Sequence, residues 1–179
     1  RVGAAGELLI SQTANILLYL GPRLKLAPKD EAGKLWTHQL QLTLADLVVE
    51  AHDAHHPIAK SLYYEEQKTE SIKRAGNFRT LRLPKYLGYF ERLLAAHPGR
   101  YLAGKSISYA DLSLFQVLEG LAYAFPRAMR RLEAAHPGLV ALRGRVRQRP
   151  RIAAYLASPR RMAFNQHGLF RHHPELDGD

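Results

Sequence analysis

The chain has 179 residues, room for one domain plus a fragment, and 46% hydrophobic with 23% charged residues describes a globular protein with a sizeable core. It has no cysteine, which excludes disulfides, a thiol nucleophile and cysteine-ligated zinc. The 26 basic residues outnumber the 16 acidic ones for a net +10, but the charge is dispersed, densest from Arg127 to Arg161, without interleaved aromatic platforms or helix-turn-helix or zinc-finger spacing, so no nucleic-acid partner is expected.

No apolar run approaches the roughly 20 residues needed to span a bilayer, so no membrane partner is expected. The chain starts at Arg1 without a signal peptide, and a soluble, cytoplasmic protein is expected.

Glu7-Leu8-Leu9-Ile10 reads as a short strand introduced by Gly3 and Gly6. Ala14 to Leu20 reads as a helix stopped by Gly21-Pro22. Ser11, Gln12 and Thr13 stand at the junction. Unpaired N–H groups at such a junction suit a carboxylate, and Gln12 and Thr13 add an amide and a hydroxyl. The same residues also fit plain capping by Ser11 or Thr13.

Residues 22–32 read as a linker. From Lys34 to about His55, Trp36, Leu40, Leu44, Leu47, Val48 and Ala51 recur with helical period. Leu35, Leu42 and Val49 form a second side, so this helix is expected to be buried on two faces, one against the core and one against a dimer mate. Asp46 lies among Leu44, Ala45, Leu47 and Val48. It is an ordinary exposed aspartate or a carboxylate in need of a partner.

His52 and His56 share a helix face at i, i+4 spacing, with His55 and Asp53 between them. No further ligand is placed by the sequence and Pro57 breaks the scaffold, so no metal is expected and a polar wall to a cleft is the favoured reading. Residues 65–80 read as a mostly exposed helix, and Pro84 as the start of another that ends at Ala96-His97-Pro98-Gly99. That ending nearly recurs at Ala135-His136-Pro137-Gly138, one helix-stop solution used twice.

Ser108 and Asp111 have capping-box spacing, and Ile107 and Leu112 that of a hydrophobic staple. Leu112, Leu114, Phe115, Val117, Leu118, Leu121 and Phe125 follow, so residues 108–125 should form a helix apolar nearly all round, the buried centre of the domain. Leu139 to Val146 and Ile152 to Leu156 read as shorter helices around Pro150. The tail from Ser158 has no period and should wrap the surface.

The stretch from Tyr101-Leu102-Ala103-Gly104-Lys105 to Ser108-Tyr109-Ala110-Asp111 resembles the core helix and its approach in the C-terminal domain of cytosolic glutathione transferases. Leu8 to Gly21 is similar to the last strand and helix of that family's thioredoxin-like domain, and the two matches come in the family's order and spacing. The resemblance implies an all-α bundle of five or six helices over residues 33–179. A linker at 22–32 and a thioredoxin-like α/β remnant at 1–21 would precede it. It implies an enzyme that joins the thiolate of glutathione, its co-substrate, to a small hydrophobic electrophile without a cofactor. It further implies a homodimer, with Gln12 and Thr13 holding the γ-glutamyl end of glutathione, Asp46 reaching the glutathione of the other subunit, and His52 and His56 lining the acceptor cleft. The thiol-activating residue lies upstream of this sequence and is not named by it. The alternative is a non-catalytic interaction module of the same fold.

Overall fold

The capping box closes as its spacing predicts. In the computed structural model, which describes residues 8–96 and 99–178, Ser108 and Asp111 cap each other at the start of a helix from Tyr109 to Ala124. In chain order the helices are α1 (Thr13–Arg23), α2 (Glu31–Asp53), α3 (Lys68–Asn77), α4 (Leu83–Ala96), α5 (Tyr109–Ala124), α6 (Pro126–Glu133), α7 (Pro137–Arg147), α8 (Pro150–Leu156) and α9 (Pro174–Asp177). Helix α5 is the central one: Leu114, Phe115, Val117, Leu118 and Leu121 are buried around its circumference. It packs against α2, α6 and α7. The fold is all-α, as expected.

Several local readings are corrected. Leu8 makes only an isolated bridge and Leu9 and Ile10 are irregular, while Glu7 lies outside the described residues; a strand needs a neighbour to pair with. Gly21 and Pro22 do not stop α1 but lie within its last turn. The glycine serves close packing there, because a Cβ on Gly21 would sit 2.5 Å from the Tyr109 ring. Helix α2 begins one turn earlier than its apolar stripe, since Asp30 accepts the Gly33 N–H at 2.8 Å. Its stripe is buried as expected at Leu40, Leu44, Leu47 and Ala51, whereas Leu35, Leu42 and Val49 are 62%, 48% and 51% exposed. The second face is therefore open among the described residues.

Helix α4 begins at Leu83, one residue before Pro84, so the proline lies in a first turn as expected. A wide π turn, Phe78–Arg82, carries α3 into it without a loop. Ser71, Ala75 and Phe78 are buried, so the segment from 65 to 80 is not simply a solvated helix. Helix α4 ends at Ala96, and His97-Pro98 lie outside the described residues. The tail is less formless than its sequence. It ends in α9, where Asp177, 1% exposed, accepts the Arg127 and Ala128 N–H groups at 2.7 and 3.1 Å and so caps α6 from 50 residues away.

Glu119 on α5 is ion-paired with Arg143 and Arg147 of α7, and Arg143 also reaches Glu133 at 2.6 Å. Burial alone would raise the Glu119 carboxyl, but the two guanidiniums overcome that and hold it below its ordinary value of 4.5. A depressed carboxylate stabilises the fold above its unfolded pKa, and the contribution is lost as pH falls through the folded value. Glu119→Gln is expected to cost about 1–3 kcal/mol at pH 7, less than for a fully dry pair because Arg147 is half exposed. Denaturant melts of parent and variant should converge as pH is lowered below 4.5; a pH-independent difference would mean that packing, not charge, was lost.

Candidate functional site

The N-terminus of α1 is unusual in backbone before it is unusual in chemistry. Gln12 precedes the helix with φ 67° and ψ 121°, and no side chain caps that end. A non-glycine residue in this region costs on the order of 1–3 kcal/mol and persists only where its surroundings impose it. Plain capping by Ser11 or Thr13 is therefore not what the structure adopts. Gln12 and Thr13 are both exposed, at the end of a helix whose first N–H groups are free to meet an anion.

Both residues line a cavity of about 830 Å³ between α1, α2 and α5. Its walls are mainly apolar, from Leu17, Leu42, Val48, Leu112 and Val117, with Leu169 and Phe170 of the tail at one side. The tail is seated there because Gly120 lacks a side chain: a Cβ at Gly120 would come within 2.3 Å of the Phe170 ring. Three side chains that line the cavity hold buried polar atoms without a partner among the described residues, namely His38 Nδ1, Gln41 Oε1 and the Tyr109 hydroxyl. Burial raises the Tyr109 phenol above its ordinary value. A concave apolar surface with a few convergent polar atoms is suited to an organic ligand or to a docked apolar element.

Asp46 is exposed, and its neighbours Leu42, Ala45 and Val49 line the cavity. Among the described residues its carboxylate has neither a hydrogen bond nor an ion pair. The apolar neighbours in sequence are thus not a dry environment for it.

His52 and His56 lie within electrostatic reach of Arg171 in the tail, but neither is among the residues that line the cavity. The chain turns at the end of α2, with the N–H groups of His55 and His56 both donating to the His52 carbonyl at 3.1 and 3.2 Å. This turn carries the imidazoles under the tail, where His55 Nε2 meets the Leu169 carbonyl at 3.0 Å. The ring of His173 stacks on Tyr64 close by, with centroids 3.8 Å apart. Burial lowers the pKa values of His52, His56 and His173, and brings that of His55 to about 3.

The sequence reading missed His38, Gln41, the Tyr109 hydroxyl and Phe170. Gly120, a lone glycine inside an otherwise apolar helix, was the available sign that another element approaches closely there.

Residues 52–159 match the family described as glutathione S-transferase, C-terminal domain. Glutathione S-transferase P of Bos taurus is 30% identical over 162 residues, which is 88% of this chain and 68% of that protein. The Homo sapiens protein of the same name is 31% identical over 159 residues, 86% of this chain and 66% of that one. A glutathione S-transferase of Plasmodium yoelii yoelii is 24% identical over 125 residues, 70% of this chain and 53% of that protein. The chain thus spans between about half and about two thirds of the length of these relatives. Among solved structures, the Pi-class glutathione S-transferase of Onchocerca volvulus superposes with a TM-score of 0.66 at 25% identity, covering 84% of this chain and 66% of that one. Prostaglandin synthase D of Nilaparvata lugens shares the fold with a TM-score of 0.69 at 20% identity, covering 87% and 71%.

Proposed function

The chain belongs to the glutathione S-transferase family, and from that premise we propose that it is the helical part of an enzyme that conjugates the thiolate of glutathione to a small hydrophobic electrophile. The observation that carries this reading is Gln12, held at φ 67° in front of an uncapped helix and beside Thr13. A scaffold has no use for that strain, whereas a ligand that needs the amide, the hydroxyl and the first N–H groups of α1 together does. Gln12 and Thr13 take the γ-glutamyl carboxylate, and Asp46 takes the α-amino group of the glutathione held by a second subunit.

In this reading residues 1–21 are the end of a thioredoxin-like domain, 22–32 the linker and 33–179 the helical domain. The apolar wall of the cavity is the face on which the rest of the thioredoxin-like domain rests in a full-length protein. The acceptor is assigned to the edge of that wall at Leu169, which is 55% exposed, and not to His52 and His56 behind the tail. Catalysis would come from lowering the thiol pKa and holding thiolate and acceptor in register; none of the residues described here is assigned the activation.

The test is Gln12→Gly in the full-length protein. Glycine accepts this backbone without strain, so the melting temperature should hold or rise, while glutathione affinity falls by about 1–2 kcal/mol, the size of one or two lost hydrogen bonds. Thr13→Val should weaken affinity by a similar amount. A parent protein that binds no glutathione and conjugates no activated aryl halide would instead favour the interaction module.

A further inference from the structure

We propose that His52, His55 and His56 form a binding site for a divalent transition metal of the Zn²⁺ type, independent of the glutathione site. One ring nitrogen from each of the three lies within 4.8 Å of the others. The backbone already holds them in place: His52 lies in the last turn of α2, and its carbonyl accepts the N–H groups of both other residues. His55 and His56 are 2% and 7% exposed, and the His52 side chain is 16% exposed.

The orientation of His55 is that of a ligand with its outer hydrogen bond made. A carbonyl oxygen only accepts, so the contact to Leu169 places the proton on Nε2 and leaves on Nδ1 a lone pair, which accepts from His56 Nδ1–H and which an ion would take over in place of that proton. Metal-bound imidazoles are commonly fixed in this way by a backbone carbonyl on the far nitrogen. His55 Nδ1 faces His56 Nδ1 at 2.5 Å, and His52 Nδ1 is buried with no hydrogen-bond partner among the described residues. Zinc–nitrogen bonds of about 2.0–2.1 Å in a tetrahedral site separate the ligand nitrogens by about 3.4 Å. That spacing falls between the 2.5 Å of the closest pair and the 4.8 Å that bounds the cluster, so ring rotation is the adjustment that an ion would call for.

The neutral imidazole is the form that binds metal. Lys60 and Arg171 oppose a cation here, while Asp53, whose Oδ1 is 3.7 Å from His52 Nδ1, favours it. Imidazole donors without thiolates select zinc, copper or nickel over magnesium or calcium. Three protein ligands leave the fourth position to water. A bound ion would fasten the end of α2 to the tail through His55 and Leu169.

The experiment is calorimetric titration of the full-length, tag-free, chelator-treated protein with Zn²⁺, repeated with Co²⁺ to read the d–d absorption of a tetrahedral site. One ion per chain is expected, with a raised melting temperature. His52→Gln and His56→Gln should each weaken binding by more than about a hundredfold, the upper end of what loss of an outer partner costs. His167→Gln, on the exposed tail, should leave it unchanged. His52→Gln carries the test if the more deeply buried His56 variant does not fold. Absence of a one-to-one site, or binding that survives His52→Gln, would overturn the proposal.

Discussion

Asp111→Ala is expected to destabilise the protein by about 3–5 kcal/mol, more than an ordinary helix cap, because it removes the side-chain acceptor of two buried backbone donors. The Asp111 side chain is fully buried. Its Oδ2 accepts the Ser108 N–H at 2.7 Å and the Ser108 hydroxyl at 2.6 Å, and its Oδ1 accepts the Leu102 N–H at 2.8 Å. Burial raises the carboxyl above its ordinary value against the pull of these bonds. The Leu102 contact goes beyond capping. Leu102 lies in the tight loop closed by the Tyr101 and Gly104 bridge, where Gly104 has φ 111°. The Leu102 carbonyl accepts the Trp36 indole N–H at 3.1 Å. One carboxylate thus ties the start of α5 to the loop, and the loop to α2. Each stranded buried N–H costs about 1–3 kcal/mol, which sets the range. For a domain of this size that is a fall in melting temperature of roughly 6–20 °C. Asp111→Asn should recover little, since its amide must point a donor at one of the donors the carboxylate served. A melting temperature within two or so degrees of the parent, as about 1 kcal/mol or less would give, would show that the network is not holding the loop.

Asp46→Asn in the full-length protein is expected to weaken glutathione binding by about 1.5–3 kcal/mol, the size of a hydrogen bond to a charged group, with the dimer intact. The carboxylate is exposed on α2 beside residues that line the cavity and has no partner among the described residues. Its helix face also carries Leu35, Leu42 and Val49, a seven-residue repeat that is exposed among the described residues. An apolar stripe with a free carboxylate beside it fits a second subunit that buries the stripe and brings an ammonium to the acid. The variant separates the two roles. Asparagine keeps the volume and removes the charge, so sedimentation should still report a dimer while calorimetry reports the lost affinity. Unchanged glutathione affinity would make Asp46 a surface carboxylate and would remove the shared site.

The elements legible in the sequence were those whose signal is local. Ser108 and Asp111 are three residues apart, and the apolar residues of α2 and α5 recur every three or four, so cap, helix and core face follow from spacing alone. Pro126, Pro137 and Pro150 open α6, α7 and α8, because a ring that fixes φ and lacks an N–H suits a first turn. The sequence reading, by contrast, placed no helix at 126–133, took Pro137 only as part of a helix stop, and began α7 and α8 at Leu139 and Ile152. Gln12 and Thr13 were visible as a polar pair at a helix start, but the strain at Gln12 was not, since nothing in the residue type announces a positive φ.

What the tertiary structure alone decided are the contacts whose partners lie far apart along the chain. Helices α6 and α7 have no side-chain cap of their own. Asp177 supplies one to α6, and Glu91 supplies the other by accepting the Gly138 and Leu139 N–H groups at 2.8 and 2.9 Å. The three histidines behind the tail became one buried cluster because the turn after α2 and the Leu169 carbonyl meet across 114 residues. Period and capping are written within one or two turns of a helix and survive in any fold that keeps the helix. A carboxylate or carbonyl borrowed from another element exists only once packing has brought that element there.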